Sequence, residues 1–156
     1  MEISEGLLYH IKDDFFATFT NCALLENKDG KKKRPHFLLF KDRRRAKLWW
    51  VIPLSSKVEK YQKLRDHKIE KFGKCNTIVI GQTEGNRNSV FLLQNMFPIT
   101  EEYIDHVHTL NNAPVQIHDG LKKQLILYAN QLVNAYYSGR KIMFTDVDKI
   151  ISVIDK

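Results

Sequence analysis

The chain is poor in cysteine and lacks glycine-rich motifs, and each shortage argues against a class of function. Its two cysteines are Cys22 and Cys75, and their wide separation fits neither a zinc-finger spacing nor a disulfide framework. We expect both to pack as small, partly buried side chains. The seven glycines form neither GxxxxGKS/T nor GxGxxG, so the sequence contains no phosphate-cradling loop and no dinucleotide-binding turn.

Long apolar segments are also missing. No apolar run approaches the ~20 residues that cross a bilayer, and residues 1–6 carry two glutamates and no basic patch, unlike a secretory signal. The composition, 43% hydrophobic and 28% charged among 156 residues, is typical of one globular domain spanning residues 1–156. The sequence therefore predicts a cytoplasmic protein that does not contact a membrane.

Positive charge is abundant and unevenly distributed. The formal net charge is +7, and residues 28–74 alone hold 17 lysines and arginines against 5 acidic residues. Such a concentration favours a polyanionic partner, because each phosphate that a protein neutralises releases condensed counterions. A well-solvated surface without a partner is the alternative interpretation.

Periodicity and turn residues predict an α+β domain built on a curved antiparallel sheet. Tight turns between consecutive strands, with an Asp-Gly signal in residues 27–30, favour antiparallel pairing. The predicted strands are residues 7–12, 17–26, 36–41, 47–53, 76–81 and 89–97, and Pro98 is expected to break the last. The predicted helices are residues 57–72, 119–138 and 146–154, while residues 101–110 fit either a strand or a short helix.

Ser55, Ser56 and Lys57 lie where a predicted strand passes into a predicted helix. Backbone N–H groups and hydroxyls at such a junction point towards an anion. An adjacent lysine adds a compact positive charge that can stabilise a phosphate in its transition state. The simpler interpretation is a helix capped by Ser55 or Ser56 and followed by a surface lysine.

The tryptophan pair and one histidine pair also have two interpretations. Trp49 and Trp50 must face opposite ways on a strand, so one enters the core and the other can stack on a base from the basic face. Core packing of both is the alternative. His106 and His108 share one face of a predicted strand, but no third ligand is evident and no metal site is expected.

Three stretches, in a fixed order over most of the chain, carry a family resemblance. They are IPLSSK at residues 52–57, FLLQNMFPI at residues 91–99 and LKKQL at residues 121–125. They resemble a Pro-Leu-Ser/Thr-Ser segment followed by lysine, an apolar strand ending in Met-x-Pro, and a long-helix Lys-Gln-Leu segment. These are features of the ToxN/AbiQ/CptN/TenpN family of type III toxin–antitoxin endoribonuclease toxins, and the chain is most similar to the CptN branch.

The resemblance implies a fold, a reaction and a partner. The fold would be a strongly bent antiparallel sheet, like the barrel of the Kid/MazF/CcdB toxins, with packed helices. The reaction would cleave cellular RNA without a metal or other cofactor, by attack of the ribose 2′-hydroxyl on the adjacent phosphate. The partner would be a repeated pseudoknot RNA antitoxin that closes with the toxin into a cyclic protein–RNA assembly.

The resemblance also implies a catalytic group at the Ser-Ser-Lys step. Lys57 would stabilise the phosphorane, and Ser55 and Ser56 would position the scissile phosphate. Some relatives have a proline before the lysine, where this chain has none, so Lys60 competes with Lys57 for the role.

The first strand supplies further candidates. Relatives often carry a tyrosine just after it, whereas this chain has Phe15, so Tyr9 or His10 would substitute. His10 and Lys12 are candidates for proton transfer or phosphate contact. The residues expected to contact RNA are Tyr9, Lys12, Lys31, Lys32, Lys33, Arg34, Arg43, Arg44, Arg45, Trp50, Lys60 and Lys63.

Two other functions stay open at this point. One is a non-catalytic module whose basic hairpins grip a structured RNA. The other is an inhibitor with the toxin fold that acts through protein contacts, which would make little use of the basic segment. A tandem repeat of short noncoding DNA immediately upstream of the coding sequence would distinguish the RNA-neutralised toxin from both.

Overall fold

Short strands form one large antiparallel sheet and two small hairpins in residues 2–156, the part of the chain that the computed structural model describes. The large sheet has the order β6-β7-β5-β4-β1-β9, with β8 paired to β5, whereas β2 pairs with β3 and β10 with β11. The strands are β1 (Leu8–Ile11), β2 (Lys28–Asp29), β3 (Lys32–Lys33), β4 (His36–Lys41), β5 (Trp49–Ser55), β6 (Ile78–Gln82), β7 (Asn88–Leu92), β8 (Phe97–Ile99), β9 (Ile104–Val107), β10 (Thr109–Leu110) and β11 (Ala113–Pro114).

Helices cover the sheet and connect its strands. They are α1 (Asp13–Thr18), α2 (Val58–Phe72), α3 (Asp119–Tyr137) and α4 (Val147–Ile154), with two short 3-10 turns at Leu93–Asn95 and Glu101–Tyr103. None of the helices in residues 2–156 is both long and apolar enough to cross a membrane.

Strand β5 is central because it changes partner along its length. Near its start Trp50 lies opposite Pro98 of β8, and near its end Leu54 lies opposite Phe91 of β7. Strand β4 pairs along the other edge of β5. All 7 residues of β5 are buried, as expected for a continuous apolar run that is covered on both faces.

Alternate residues of β5 enter two hydrophobic clusters on opposite faces of the sheet. Trp50 and Ile52 pack with leucines of α3, whereas Trp49 and Val51 pack with phenylalanines of α1 and the following turn. The prediction that the two tryptophans face opposite ways is therefore confirmed. Both are core residues, since Trp49 is 6% exposed and Trp50 is 0% exposed.

The predicted α+β class, antiparallel sheet and most elements are confirmed. Strand 36–41 matches β4 to the residue, and helix 119–138 differs from α3 by one residue. The turn at residues 27–30 is the β2–β3 hairpin, in which Gly30 has a φ of 70° that favours glycine. In the described residues β6 and β9 end the sheet without pairing with each other, so the sheet is open and not a closed barrel.

Three element predictions are wrong. Residues 89–97 are not one strand, because β7 ends at Leu92 and the 3-10 turn at Leu93–Asn95 separates it from β8. Residues 17–26 contain no strand: α1 takes the first two, and the apolar Phe19 and Cys22 are buried from an irregular segment. Pro98 does not end a strand but lies inside β8. It is tolerated there because β8 pairs only with β5, so the missing N–H faces an unpaired edge.

His36 is a buried histidine that stays neutral. It is 1% exposed, and its Nδ1 lies 3.1 Å from the carbonyl oxygen of Arg34 and donates to it. Burial, reinforced by the positive charge of Arg34, lowers the pKa of His36 to about 3. Protonation of this ring therefore opposes folding.

We expect His36 to make folding stability fall between pH 7 and pH 5 by about 2 kcal/mol. Unfolded histidine takes up a proton near pH 6.5 and the folded ring only near pH 3, so this stability is complete above 6.5 and is lost as the pH falls. Urea unfolding at both pH values measures the effect. The His36→Gln variant should lose about 2 kcal/mol less than the wild type on acidification, and an equal loss would contradict the assignment.

Candidate functional site

A cleft of about 350 Å³ lies where the end of β5 meets the β2–β3 hairpin, the β6–β7 loop and the residue after β9. We call it the Ser55–His108 cleft. Its walls combine hydroxyl, amide, cationic and anionic groups. The lining residues are Asp29, Lys32, Lys33, Pro35, Leu54, Ser55, Ser56, Thr83, Glu84, Arg87, Asn88, Ser89 and His108. The structure thus brings both predicted serines together with two of the predicted lysines.

Arg34 attaches the basic β2–β3 hairpin to the end of β5. Its Nε and Nη2 donate to the carbonyl oxygens of Glu26 (2.9 Å) and Lys28 (2.9 Å), and its Nη1 donates to the carbonyl of Leu54 (2.7 Å). The side chain is 8% exposed, so these carbonyls replace water as its partners. Arg34 therefore fixes one wall of the cleft beside Ser55.

The backbone donors at the start of α2 are already used within the protein. The N–H of Ser56 donates to the Asp29 carboxylate (2.7 Å), and the N–H of Lys57 donates to Ser55 Oγ (3.2 Å). The N–H of Val58 donates to the Ser56 carbonyl (2.9 Å). The prediction that these backbone groups face a phosphate is therefore wrong, because Asp29 takes the place expected for the anion.

Helix α2 begins one residue later than predicted and lies on the surface. Its N-cap residue is Lys57, not Ser55 or Ser56, and none of its residues is fully buried. Lys57, Lys60 and Lys63 are exposed and do not line the Ser55–His108 cleft. Their roles in catalysis or RNA binding stay predictions.

Three cations line the cleft: Lys32, Lys33 and Arg87. Lys33 Nζ is 3.0 Å from the Asp13 carboxylate, in an exposed ion pair. A hydrogen bond from Asn27, assisted by Lys33, lowers the pKa of Asp13. Exposed ion pairs contribute little to stability, so Lys33 can exchange Asp13 for a phosphate at small cost.

The β6–β7 loop presents Arg87 and Glu84 to the cleft. The N–H of Arg87 donates to the Glu84 carbonyl (2.9 Å), which closes a tight turn. Gly85 within this turn has a φ of 57°, a left-handed value that glycine adopts readily. At the base of the loop the hydroxyls of Thr83 and Ser89 are 2.8 Å apart. The turn therefore holds a cation and a carboxylate on one side of the cleft.

A chain of side-chain hydrogen bonds reaches the cleft from behind. His10 Nε2 lies 2.8 Å from His108 Nδ1, and His108 Nε2 contacts the Glu84 carboxylate. His106 stacks on His10 with ring centroids 4.7 Å apart. Burial, followed by electrostatic repulsion from His108, His106 and Lys33, lowers the pKa of His10 to about 4. His10 is therefore neutral near pH 7 and does not line the cleft itself.

Metal ligation does not explain this histidine cluster. Across residues 2–156, no group of three or more His, Cys, Asp or Glu side chains has an arrangement that could hold a metal ion. The histidine nitrogens instead bond to each other and to Glu84.

Three predicted RNA-contacting residues are buried structural groups. Trp50 donates its indole N–H to Asp42 (2.9 Å). The hydroxyl of Tyr9, which is 2% exposed, accepts from the N–H of Ser4 (2.9 Å). Arg34 makes the backbone contacts described above. The prediction that Trp50, Tyr9 and Arg34 contact RNA is wrong, because their recognition atoms are enclosed by the protein.

Of the other predicted contacts, only Lys32 and Lys33 line the cleft. Lys12 and Lys31 are surface residues. Arg43, Arg44 and Arg45 form the turn that joins β4 to β5, at the end of β5 opposite Ser55. The 6 residues of β4 place this turn about 17 Å from the β2–β3 hairpin. The basic segment therefore forms two separate surfaces.

Sequence reasoning missed the roles of Glu84, Arg87 and His108. Residues 82–88 are recognisable only as a polar loop, and a single acid and base in a loop carry no periodic signal. In the sequence, His108 stands out only as a possible metal ligand together with His106. The missing information was strand pairing, since β1 beside β9 is what brings His10 to both histidines.

We expect Arg34→Met to destabilise the fold by about 3 kcal/mol or more, since an unsatisfied buried polar group costs about 1–3 kcal/mol and three carbonyls lose their donor. Arg43→Met, which changes an exposed arginine, is the matched control. Urea unfolding of both variants tests the difference. Equal stability of the two variants would show that the Arg34 contacts do not hold the hairpin.

Comparisons with known proteins add no assignment to this geometry. No protein-family model matches the chain, and no curated protein matches it. The residues of the Ser55–His108 cleft and the charge around it are therefore the features that indicate a function.

Proposed function

We propose that this protein is a metal-independent endoribonuclease toxin of a type III toxin–antitoxin system. The observation that carries the proposal is the Ser55–His108 cleft, which combines serine hydroxyls, three cations and a carboxylate bonded to histidine. Those are the groups needed to hold a phosphodiester and move a proton without a metal. The resemblance of residues 52–57 to the toxin family's serine-lysine segment adds to this support.

In the proposed reaction the ribose 2′-hydroxyl attacks the adjacent phosphorus. The products are a 2′,3′-cyclic phosphate and a 5′-hydroxyl. Ser55, Ser56, Lys33 and Arg87 would position the phosphate, and positive charge would stabilise the phosphorane as it forms. Lys57, next to Ser56, would reach the phosphate from the start of α2, with Lys60 as the alternative.

The antitoxin is proposed to be a repeated pseudoknot RNA that binds outside the cleft and closes a cyclic assembly. The arginine turn supports an extended RNA footprint. A groove of about 640 Å³ beside it is lined by Arg44, Arg45, Arg140 and Lys141. Arg44 also lies 4.3 Å from the ring centre of Tyr137, a flat surface of the kind that folded RNA and unpaired bases contact.

A bent sheet related to the Kid/MazF/CcdB toxins belongs to the same proposal. Its support is the contact between Glu84, in the loop beyond β6, and His108, which follows β9. These strands end the sheet order at opposite sides, so the contact requires the sheet to curl. A cytoplasmic location follows from the proposal, because RNA substrate and antitoxin are found there.

We expect RNA cleavage by the purified protein to persist in EDTA. The groups proposed to carry the reaction are protein side chains, and no described cluster has metal-binding geometry. The assay follows an A-rich single-stranded RNA by gel and identifies the ends as cyclic phosphate and 5′-hydroxyl. Loss of cleavage in EDTA with recovery on adding magnesium or manganese would contradict the mechanism.

We expect Lys57→Ala to lower the cleavage rate by about 10²–10³-fold, as loss of one preorganised transition-state donor typically does. Binding of a structured RNA should change little, because one phosphate contact is a small part of a large basic footprint. Lys60→Ala is tested in parallel, and Lys71→Ala, at the far end of α2, is the control.

Comparing Lys57→Ala with Lys60→Ala shows which lysine stabilises the phosphorane. If only Lys60→Ala loses cleavage, Lys60 carries the role proposed for Lys57. If neither variant loses cleavage, the Ser-Ser-Lys step is not part of the active site, and the cations of the cleft itself, Lys33 and Arg87, become the positions to change.

A further inference from the structure

The hydrogen-bonded chain from His10 through His108 to Glu84 crosses the molecule from core to cleft. His10 belongs to β1 and is 9% exposed, His108 follows β9, and Glu84 lies in the β6–β7 loop. The side chains of His108 and Glu84 are only 19% and 25% exposed. Residues from three separate parts of the chain therefore form one continuous polar path that ends in the Ser55–His108 cleft.

The contacts fix which nitrogen of each ring carries a proton. An ionised Glu84 carboxylate can only accept, so His108 Nε2 must donate to it. A neutral His108 then has a bare Nδ1, which accepts from His10 Nε2. His10 Nδ1 is buried without a partner, and leaving a bare nitrogen there avoids an orphaned buried N–H. His10 thus sets the tautomer of His108.

The neutral state of His10 agrees with this assignment. Burial, followed by the charged or titratable groups His108, His106 and Lys33, lowers its pKa to about 4, against a smaller opposing effect of Asp105. Near pH 7 His10 therefore has a single ring proton. That proton is committed to His108, which keeps the Nε2 proton of His108 directed at Glu84.

We propose that Glu84 is the general base that accepts the proton of the attacking 2′-hydroxyl, and that His108 and His10 are positioning residues that hold the carboxylate. This inference rests on the proposed ribonuclease function and names the proton acceptor of the same cleft. Glu84 lines the cleft and has a second carboxylate oxygen beyond the one that His108 binds. His108 is a poorer candidate, since both of its nitrogens are already bonded.

The step balances without a further cofactor. The O2′–P bond forms as the P–O5′ bond breaks, and the 2′-hydroxyl proton passes to Glu84. The departing 5′-oxygen takes a proton from water, and the hydroxide left behind recovers the proton from Glu84. The carboxylate is thereby regenerated for the next turnover.

The main test is Glu84→Gln, which keeps the shape and an oxygen for His108 but cannot take the proton. We expect kcat for RNA cleavage to fall about 10²–10⁴-fold, the usual contribution of a general base, with KM changed little. Glu70→Gln, an exposed glutamate on α2, is the matched control and should cleave like the wild type. Thermal unfolding tests whether Glu84→Gln is folded. If Glu84→Gln is not folded, Glu84→Asp, which keeps a carboxylic acid, is used in its place.

The positioning role is tested by two changes at His108. Gln can place its amide N–H near the position of Nε2 and donate to Glu84, whereas Ala cannot. We expect His108→Gln to retain at least 10-fold more kcat than His108→Ala, for similar KM values, because a well-aligned hydrogen bond is worth about one factor of ten. If His108 had only a structural role, the kcat of each variant would fall in proportion to the stability that the variant loses.

The outcomes separate this inference from the proposed function. If the wild type cleaves RNA and folded Glu84→Gln cleaves equally well, Glu84 is not the base and the ribonuclease proposal stands. Equal kcat for folded His108→Gln and His108→Ala would overturn the positioning role. If the wild type itself does not cleave RNA, the proposed function fails and the general-base assignment fails with it.

Discussion

The guanidinium group of Arg34 joins the β2–β3 hairpin to the end of β5 through three backbone carbonyls. Its donors satisfy carbonyls of Glu26 and Lys28 on one side and of Leu54 on the other. Because a planar guanidinium offers donors in fixed directions, it sets the position of the hairpin relative to β5. This buried arginine and the hydrogen bond from the Ser56 N–H to Asp29 hold the hairpin beside β5, so that its exposed lysines face the cleft.

A buried carboxylate performs the equivalent task at the other end of β5. Asp42 accepts from the indole of Trp50 and from the N–H groups of Arg44 and Arg45, and Tyr137 donates its hydroxyl to the same side chain. These bonds satisfy a carboxylate that is 5% exposed, as a buried charge requires. One buried charged side chain therefore helps to anchor each basic segment, Arg34 at the β2–β3 hairpin and Asp42 at the β4–β5 turn.

Local patterns were enough to predict most of the elements but not the composition of the cleft. The alternating and apolar runs around residues 36–55 predict β4 and β5, because their burial follows directly from their side chains. Residues 17–26 were misjudged because an apolar irregular segment can be buried like a strand, as Phe19 shows. The cleft depends on pairing between distant strands and on one loop turn, and neither leaves a periodic trace in the sequence.

The charge of the cleft explains why its acid needs internal support. Lys32, Lys33 and Arg87 attract a phosphate, but Glu84 repels one at short range. His108, whose Nε2 is bonded to Glu84, restrains the carboxylate at the wall of the cleft. Burial of His10 behind His108 keeps that histidine pair in one protonation pattern, because charging His10 means protonating a ring that is 9% exposed. The three cations can therefore bind the phosphate while the carboxylate of Glu84 stays directed into the Ser55–His108 cleft.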